Sequence, residues 1–462
     1  MTVWKATLFP RLWLCLVVGT FYLAPFVRAA DVALQVQAAP ATQTPPQDKL
    51  LTIEDAVRIG LENHPRIRAA RERIGSQEAI LGQQMSGYYP TINFNNSYRT
   101  TNSSSSTSAS SNAFDTFTSQ ANMNLTLYNF GKREGTVQAA RETVDATRQD
   151  YSTTTQDIVL SIKQAYYVYL GVQAVVTVRQ ETVRNRELLV RQARGFYEVG
   201  TRARIDVARA EANLYTARAD LIAAENAVKI AWVTLRNAMG SPRLPEQPVA
   251  QDSPEIELSM NLAAARSTAF ERRTELQSFE AQRRASDQLI ATARRGHLPD
   301  IVFDAFYGRR NSSGGGESTF PLQPVWQAQL SLNIPIFDGF RTTHRVEETL
   351  HNYNNIRAQE EERRQQIALE VEQSYLRVVE TQERILATEA AARAAKENLD
   401  LAQGRYQVGV GSIIEVTDAE TLFTDAQTNY VRTLYDYRIA DAQLARAMGD
   451  NRVSVLRPGS IR

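Results

Sequence analysis

The stretch "FYEVGTRARIDVARAE" (196–211) returns as "RYQVGVGSIIEVTDAE" (405–420), 209 residues later. Tyr197, Val199, Gly200, Val207, Ala210 and Glu211 reappear as Tyr406, Val408, Gly409, Val416, Ala419 and Glu420. Each copy reads as a helix end, a glycine turn and a new helix start, since glycine enters the left-handed region without strain. The same offset lays "YYPTINF" (88–94) on "HLPDIVF" (297–303) and "NLTLYNFGK" (124–132) on "NIPIFDGFR" (333–341). It also lays "LRNAMG" (235–240) on "LARAMG" (444–449). Anchors this far apart at one offset mean two copies of one unit with almost no net insertion.

The repeats are expected over 51–240 and 261–449, joined by a Pro-rich linker, 241–260, and followed by a tail, 450–462. A single helix is expected over about 52–86, opened by Thr52 and Asp55 as a capping box. From Lys132 to Val199 there is no proline. Ile158, Ile162, Tyr166 and Tyr169 recur as Ile367, Val371, Tyr375 and Val378, spaced for one helical face. Long helices are therefore predicted over 132–199 and 341–408, with return helices over 201–239 and 411–448. At about 1.5 Å per residue the long ones extend roughly 100 Å.

Between these helices the period changes to two. Strands are expected over about 89–100 and 117–128, and over about 299–309 and 325–337. Trp326, Ala328, Leu330 and Leu332 alternate with Gln327, Gln329, Ser331 and Asn333. Phe117, Ala121, Met123, Leu125 and Leu127 alternate likewise with Gln120, Asn122, Asn124 and Thr126. Such alternation suits a membrane barrel strand, with Tyr88, Tyr89, Phe117 and Trp326 as an interfacial belt, although a soluble sandwich alternates too. The segments 101–115 and 309–323 read as polar loops with nothing to pack, and long external loops favour the barrel. Four strands cannot close alone, and unpaired edges are forbidden in lipid. Two chains give eight strands and a filled interior; three give twelve and an open lumen. The expectation is a homotrimer.

Composition removes other classes. The first thirty residues carry Lys5, Arg11, Arg28 and an apolar run, as a signal peptide does, and 31–50 reads as a flexible leader. Without those three charges the net charge of +1 becomes −2, so no nucleic-acid footprint is expected. The single cysteine, Cys15, falls in the same segment, leaving no thiol chemistry. His344, Glu348 and His351 share a helix face but fall short of a metal site. No catalytic constellation, metal or cofactor is expected, and the chain does not read as an enzyme.

The doubled strand ends "LTLYNFGK" and "PIFDGFR", the doubled tips "YEVGTRARIDV" and "YQVGVGSIIEV", and the two "AMG" endings resemble the TolC family of outer-membrane efflux proteins. The resemblance runs from Leu51 to about Gly449. It implies a mixed, mainly α fold: a trimeric 12-stranded transmembrane β-barrel, four strands per chain, continued by a periplasmic α-helical barrel of long hairpins. It further implies an exit duct for drugs and small toxic compounds. The duct is set in outer-membrane lipid, reaches into the periplasm, and docks on a periplasmic adaptor and an inner-membrane transporter. The outer-membrane component of a type I protein secretion system is the alternative, and a structural coiled-coil surface protein a third reading that the alternating strands oppose.

By the same resemblance Glu415 and Asp418 line the narrow entrance, Tyr406 is a gate residue, and Asp206 is its acidic counterpart. Gly200, Thr201, Gly409 and Ser412 form the tip turns where an adaptor docks. One departure stands out. The family's gate arginine falls on Gly411, while Arg202 holds the equivalent place in the first repeat. An Arg202 latch onto Glu415 or Asp418 of a neighbouring hairpin is the expectation.

Overall fold

The computed structural model describes residues 50–104, 111–250, 261–314 and 321–449. The expected signal peptide and the tail lie outside these residues. The first repeat contains helices α1 (Ile53–Asn63) and α2 (Pro65–Met85), strands β1 (Thr91–Ser104) and β2 (Ser111–Tyr128), and helices α3 (Lys132–Glu198) and α4 (Arg204–Ala238). The second contains α5 (Leu262–Arg272), α6 (Thr274–Arg294), β3 (Asp300–Gly314), β4 (Gln323–Asn333), α7 (Arg341–Gln407) and α8 (Ile413–Ala447). Both long helices have 67 residues and both return helices 35.

The single helix expected over 52–86 is two. Thr52 opens α1 by accepting the Asp55 N–H at 3.2 Å. The chain then turns extended at His64 (ψ 125°), and Pro65 starts α2 at a position where its missing N–H costs nothing. The second repeat breaks at the equivalent residue, Arg273 (ψ 118°), without a proline. There a buried guanidinium holds the break instead. Arg273 Nη1 donates to Arg446 O (3.2 Å) and Ala447 O (3.4 Å), the last carbonyls of α8.

The strands form one antiparallel sheet in the order β1-β2-β3-β4. Its hairpins run further than the alternation predicts: Ser104 still pairs with Ser111, and β3 continues to Gly314. The Ser- and Thr-rich segments read as loops because they bury nothing, yet their backbone groups satisfy one another across the ladder. Conversely, β4 stops at Asn333, short of 337, because Pro335 has no N–H to give. Apolar residues share one face, where Ile92, Phe94, Tyr98, Leu330 and Leu332 are exposed and Trp326 is 75% exposed. The opposite face carries a polar network in which Asn124 Nδ2 donates to Asp304 at 2.6 Å and Gln329 Nε2 to Ser331 Oγ at 3.0 Å.

Each strand-to-helix corner places a phenylalanine in the left-handed region, Phe130 at φ 54° and Phe340 at φ 64°. Equivalent caps hold the corners: Asn129 accepts from Arg133 N (3.2 Å) and Asp338 from Thr342 N (2.9 Å). Lys132 Nζ ties the first corner to the second repeat, donating to Leu298 O (2.8 Å) and Asp300 (3.0 Å). This accounts for the doubled "NFGK" and "DGFR" phrases.

The helices carry three apolar clusters, two of them at equivalent positions of the two repeats. Ile158, Ile162, Tyr166 and Tyr169 of α3 pack with Leu235 and Met239, and Ile367, Val371 and Val378 of α7 pack with Tyr437 and Leu444. The third cluster, with Leu189, Ala193, Leu399, Ile413 and Val416, sits beside the tips. Among the described residues no helix is long and apolar enough to cross a membrane.

Candidate functional site: the paired helix tips

Both tips turn on glycine. Gly200 has φ 73° and Gly409 φ 83°, and a Cβ at either would meet no atom within 4 Å, so backbone conformation alone demands glycine. Thr201 N donates to Phe196 O (2.9 Å) and Val410 N to Arg405 O (3.0 Å), closing the two helix ends in the same manner. Thr201 Oγ1 adds a bond to Phe196 O (2.9 Å), and Ser412 caps α8 by accepting from Glu415 N (3.2 Å).

Arg202 joins the tips through partners other than those expected. Its Nη2 donates to Gly409 O (3.0 Å) and Gly411 O (2.7 Å), and its guanidinium lies 5.5 Å from the centre of the Tyr406 ring. Of the two carboxylates expected for Arg202, Glu415 faces Arg405 of its own hairpin at 3.4 Å. Gly411 is crowded, since a Cβ there would stand 3.0 Å from Arg405 Cβ and from Tyr406 N. A side chain at 411 would therefore require the turn that accepts Arg202 to give by a few tenths of an ångström.

Tyr406 is buried against Phe196, edge to face at 5.5 Å. Its hydroxyl has no hydrogen-bond partner among the described residues. Burial first, and then the charge of Asp206, push the phenol above its ordinary value, with Arg202 opposing. Asp206 is half-buried, whereas Glu415 and Asp418 are exposed one turn apart on α8.

Sequence reasoning missed a further contact. Glu420, 2% exposed on α8, meets the buried Arg186 of α3 at 2.7 Å, locking the second hairpin to the first just behind the tips. Burial pushes the Glu420 carboxyl up to about 7, against the opposing charge of Arg186. A contact this short argues for a low value, but burial prevails. Arg186 shares its N–H groups with Thr417 O (3.4 Å) and Thr421 Oγ1 (3.1 Å), and Glu420 Oε1 has no donor among the described residues. Glu420 ends the repeated phrase, and its counterpart Glu211 pairs within its own hairpin with Arg194. That repetition was the available signal; the position equivalent to Arg186 is Ala395.

A carboxyl raised in the folded state contributes stability that is fully present below about 4.5 and is lost as pH rises through about 7. Glu420→Gln is expected to flatten this slope, on the order of 3 kcal/mol at most. Unfolding rates at pH 5 and pH 8 check it, and an unchanged slope in the variant would place the proton on another group.

Among the described residues no cluster of three His, Asp or Glu could hold a metal. His344 Nδ1 lies 2.8 Å from Glu347, and Arg345 pairs with Glu348 at 3.5 Å.

Comparison with known proteins bears on the family and the fold. The model of the family "Outer membrane efflux protein" matches residues 57–241 and 265–450. Protein CyaE of Bordetella pertussis is 28% identical, covering 91% of this chain and 90% of its own. Outer membrane protein TolC of Vibrio cholerae is 24% identical over 84% of this chain and 88% of its own. A crystal structure of a membrane protein from Pseudomonas aeruginosa superposes with a TM-score of 0.75 at 21% identity, covering 86% of this chain and 92% of that one.

Proposed function

The chain belongs to the outer membrane efflux protein family, and from that membership we propose that three copies form a passive exit duct through the outer membrane. The duct extends into the periplasm and is gated at the helix tips. One observation carries the reading: a four-stranded sheet with an exposed apolar face and two outer strands, β1 and β4, set on hairpins about 100 Å long. On β2 the outward aromatics Phe117 and Tyr128 are about 11 residues apart. At about 3.3 Å per residue and about 45° tilt they bracket about 25 Å, the height of a barrel's apolar band.

Pairing β4 of one copy with β1 of the next removes every edge after three copies. The helices offer a matching contact. Ile205, Tyr215, Ile222, Ile230 and Val233 form one exposed stripe along α4, and Leu369, Leu376, Leu386 and Leu401 another along α7. Cargo, drugs and small toxic compounds among it, arrives from an inner-membrane transporter through a periplasmic adaptor. The adaptor docks around 195–210 and 404–418, with Gly200, Thr201, Gly409 and Ser412 at the apex.

Arg202 is the latch. Hydrogen bonds to a charged donor contribute about 1.5–3 kcal/mol, so its loss shifts a gate tenfold or more toward opening. In a planar bilayer the purified protein is expected to give a small conductance that prefers cations because Glu415 and Asp418 ring the entrance. Arg202→Ala should raise that conductance at least tenfold, and Glu415→Gln with Asp418→Asn should abolish the preference. Protein that reaches the bilayer yet conducts neither as wild type nor as the Arg202 variant would overturn the duct.

A further inference from the structure

We propose that Arg99 and Arg310 build a basic ring at the external mouth of the duct, which favours anionic solutes at the exit. The proposal rests on the duct reading above and names a chemistry for its far end. Register places both residues. Arg99 pairs with Thr116 and Arg310 with Thr118 and Gln323, all on the polar face that carries Asn122, Asn124 and Gln327. The opposite face at this height carries Tyr98, Phe117, Tyr307 and Trp326. Both arginines therefore point into the lumen just beyond the outer aromatic level, at the hairpin end of the sheet and away from the helices. Both are exposed.

The charge balance at that level is positive. The lumen-facing carboxylate nearest in β3, Asp304, accepts from Asn124 and lies six residues from Arg310. That is about 14 Å along the axis at about 45° tilt, beyond the Debye length of about 8 Å at physiological salt. Asp115 lies on the outward face and accepts from Thr100 Oγ1 at 2.8 Å. The short segments 105–110 and 315–320 add one carboxylate in sequence, Glu317. Three copies thus give six guanidinium groups around the mouth.

Size decides whether six charges matter. Twelve strands about 4.8 Å apart and tilted about 45° enclose roughly 25 Å at the backbone. The axis is then about 12 Å from the wall, and an arginine's long stem carries its charge well inside that radius. Every path out passes within about one Debye length of the ring. The entrance carries the opposite sign, Glu415 and Asp418, so the duct is acidic where cargo enters and basic where it leaves.

The test uses the full-length trimer in a planar bilayer with inorganic tripolyphosphate added to the external side. Micromolar, voltage-dependent block is expected, weakened at least tenfold in Arg99→Gln/Arg310→Gln and retained in Arg99→Lys/Arg310→Lys. The glutamine variant must still conduct in potassium chloride, which shows that its barrel is intact. Normal conductance with no block, or block equal in wild type and glutamine variant, overturns the ring and leaves the duct standing. Absence of conductance in the wild type and in the Arg202 variant overturns the duct, and the ring with it.

Discussion

Arg273→Ala is expected to destabilise the folded protein by about 3–5 kcal/mol, the cost of leaving a buried charge network without one partner. Arg273 is 2% exposed. Its guanidinium pairs with Glu275 (3.1 Å) and with Glu370, besides capping the end of α8. Glu275 also pairs with Arg363 (3.1 Å) and Arg446 (2.8 Å), and Arg446 with Asp157 (2.7 Å). Three guanidiniums and three carboxylates from α3, α6, α7, α8 and the α5–α6 break thus balance in one site. Burial alone would raise Glu275, but the hydrogen bond and charge of Arg446, and the charge of Arg273, hold it below its ordinary value. Removing Arg273 leaves three carboxylates to two guanidiniums, Glu370 with Arg363 alone (3.4 Å), and frees the carbonyls that fixed the break. Because many large proteins unfold irreversibly, the comparison belongs in unfolding rates at a fixed temperature. A variant as long-lived as wild type would mean that desolvation already cancels the network's attraction.

Ile222→Asp is expected to leave the chain folded and prevent its assembly. Ile222 is 67% exposed in one chain and Leu386 68%, each central to its stripe on α4 and α7. Burying an isoleucine contributes about 1.5–3 kcal/mol, and an unpaired carboxylate in its place adds several more against association. The penalty enters at all three contacts of a closed ring. Size-exclusion chromatography with light scattering in detergent should show the trimer fraction falling at least tenfold, with helix content retained. An intact trimer would move the contact off these stripes.

What the sequence by itself determined was everything with a short period. The twofold repeat, the alternating strands and the long amphipathic helices are written in residues two to four apart. The tips are written in single glycines. The break before Pro65 is equally legible, since proline pushes the residue before it out of the helical region. Tertiary structure alone decided how these parts are tied. Arg202 reaches the carbonyl of Gly411, 209 residues away. Arg186 meets Glu420 across two hairpins, and Arg273 does with a buried charge what Pro65 does with a ring. The first repeat has His64, Arg66 and Asn237 where the second has Arg273, Glu275 and Arg446, so symmetry gave no hint. The physical reason is range. Periodicity and turn chemistry act between neighbours in the chain. A guanidinium's partner is set by whichever helix lies beside it after folding, and an arginine on a solvated face reads the same as one destined for burial.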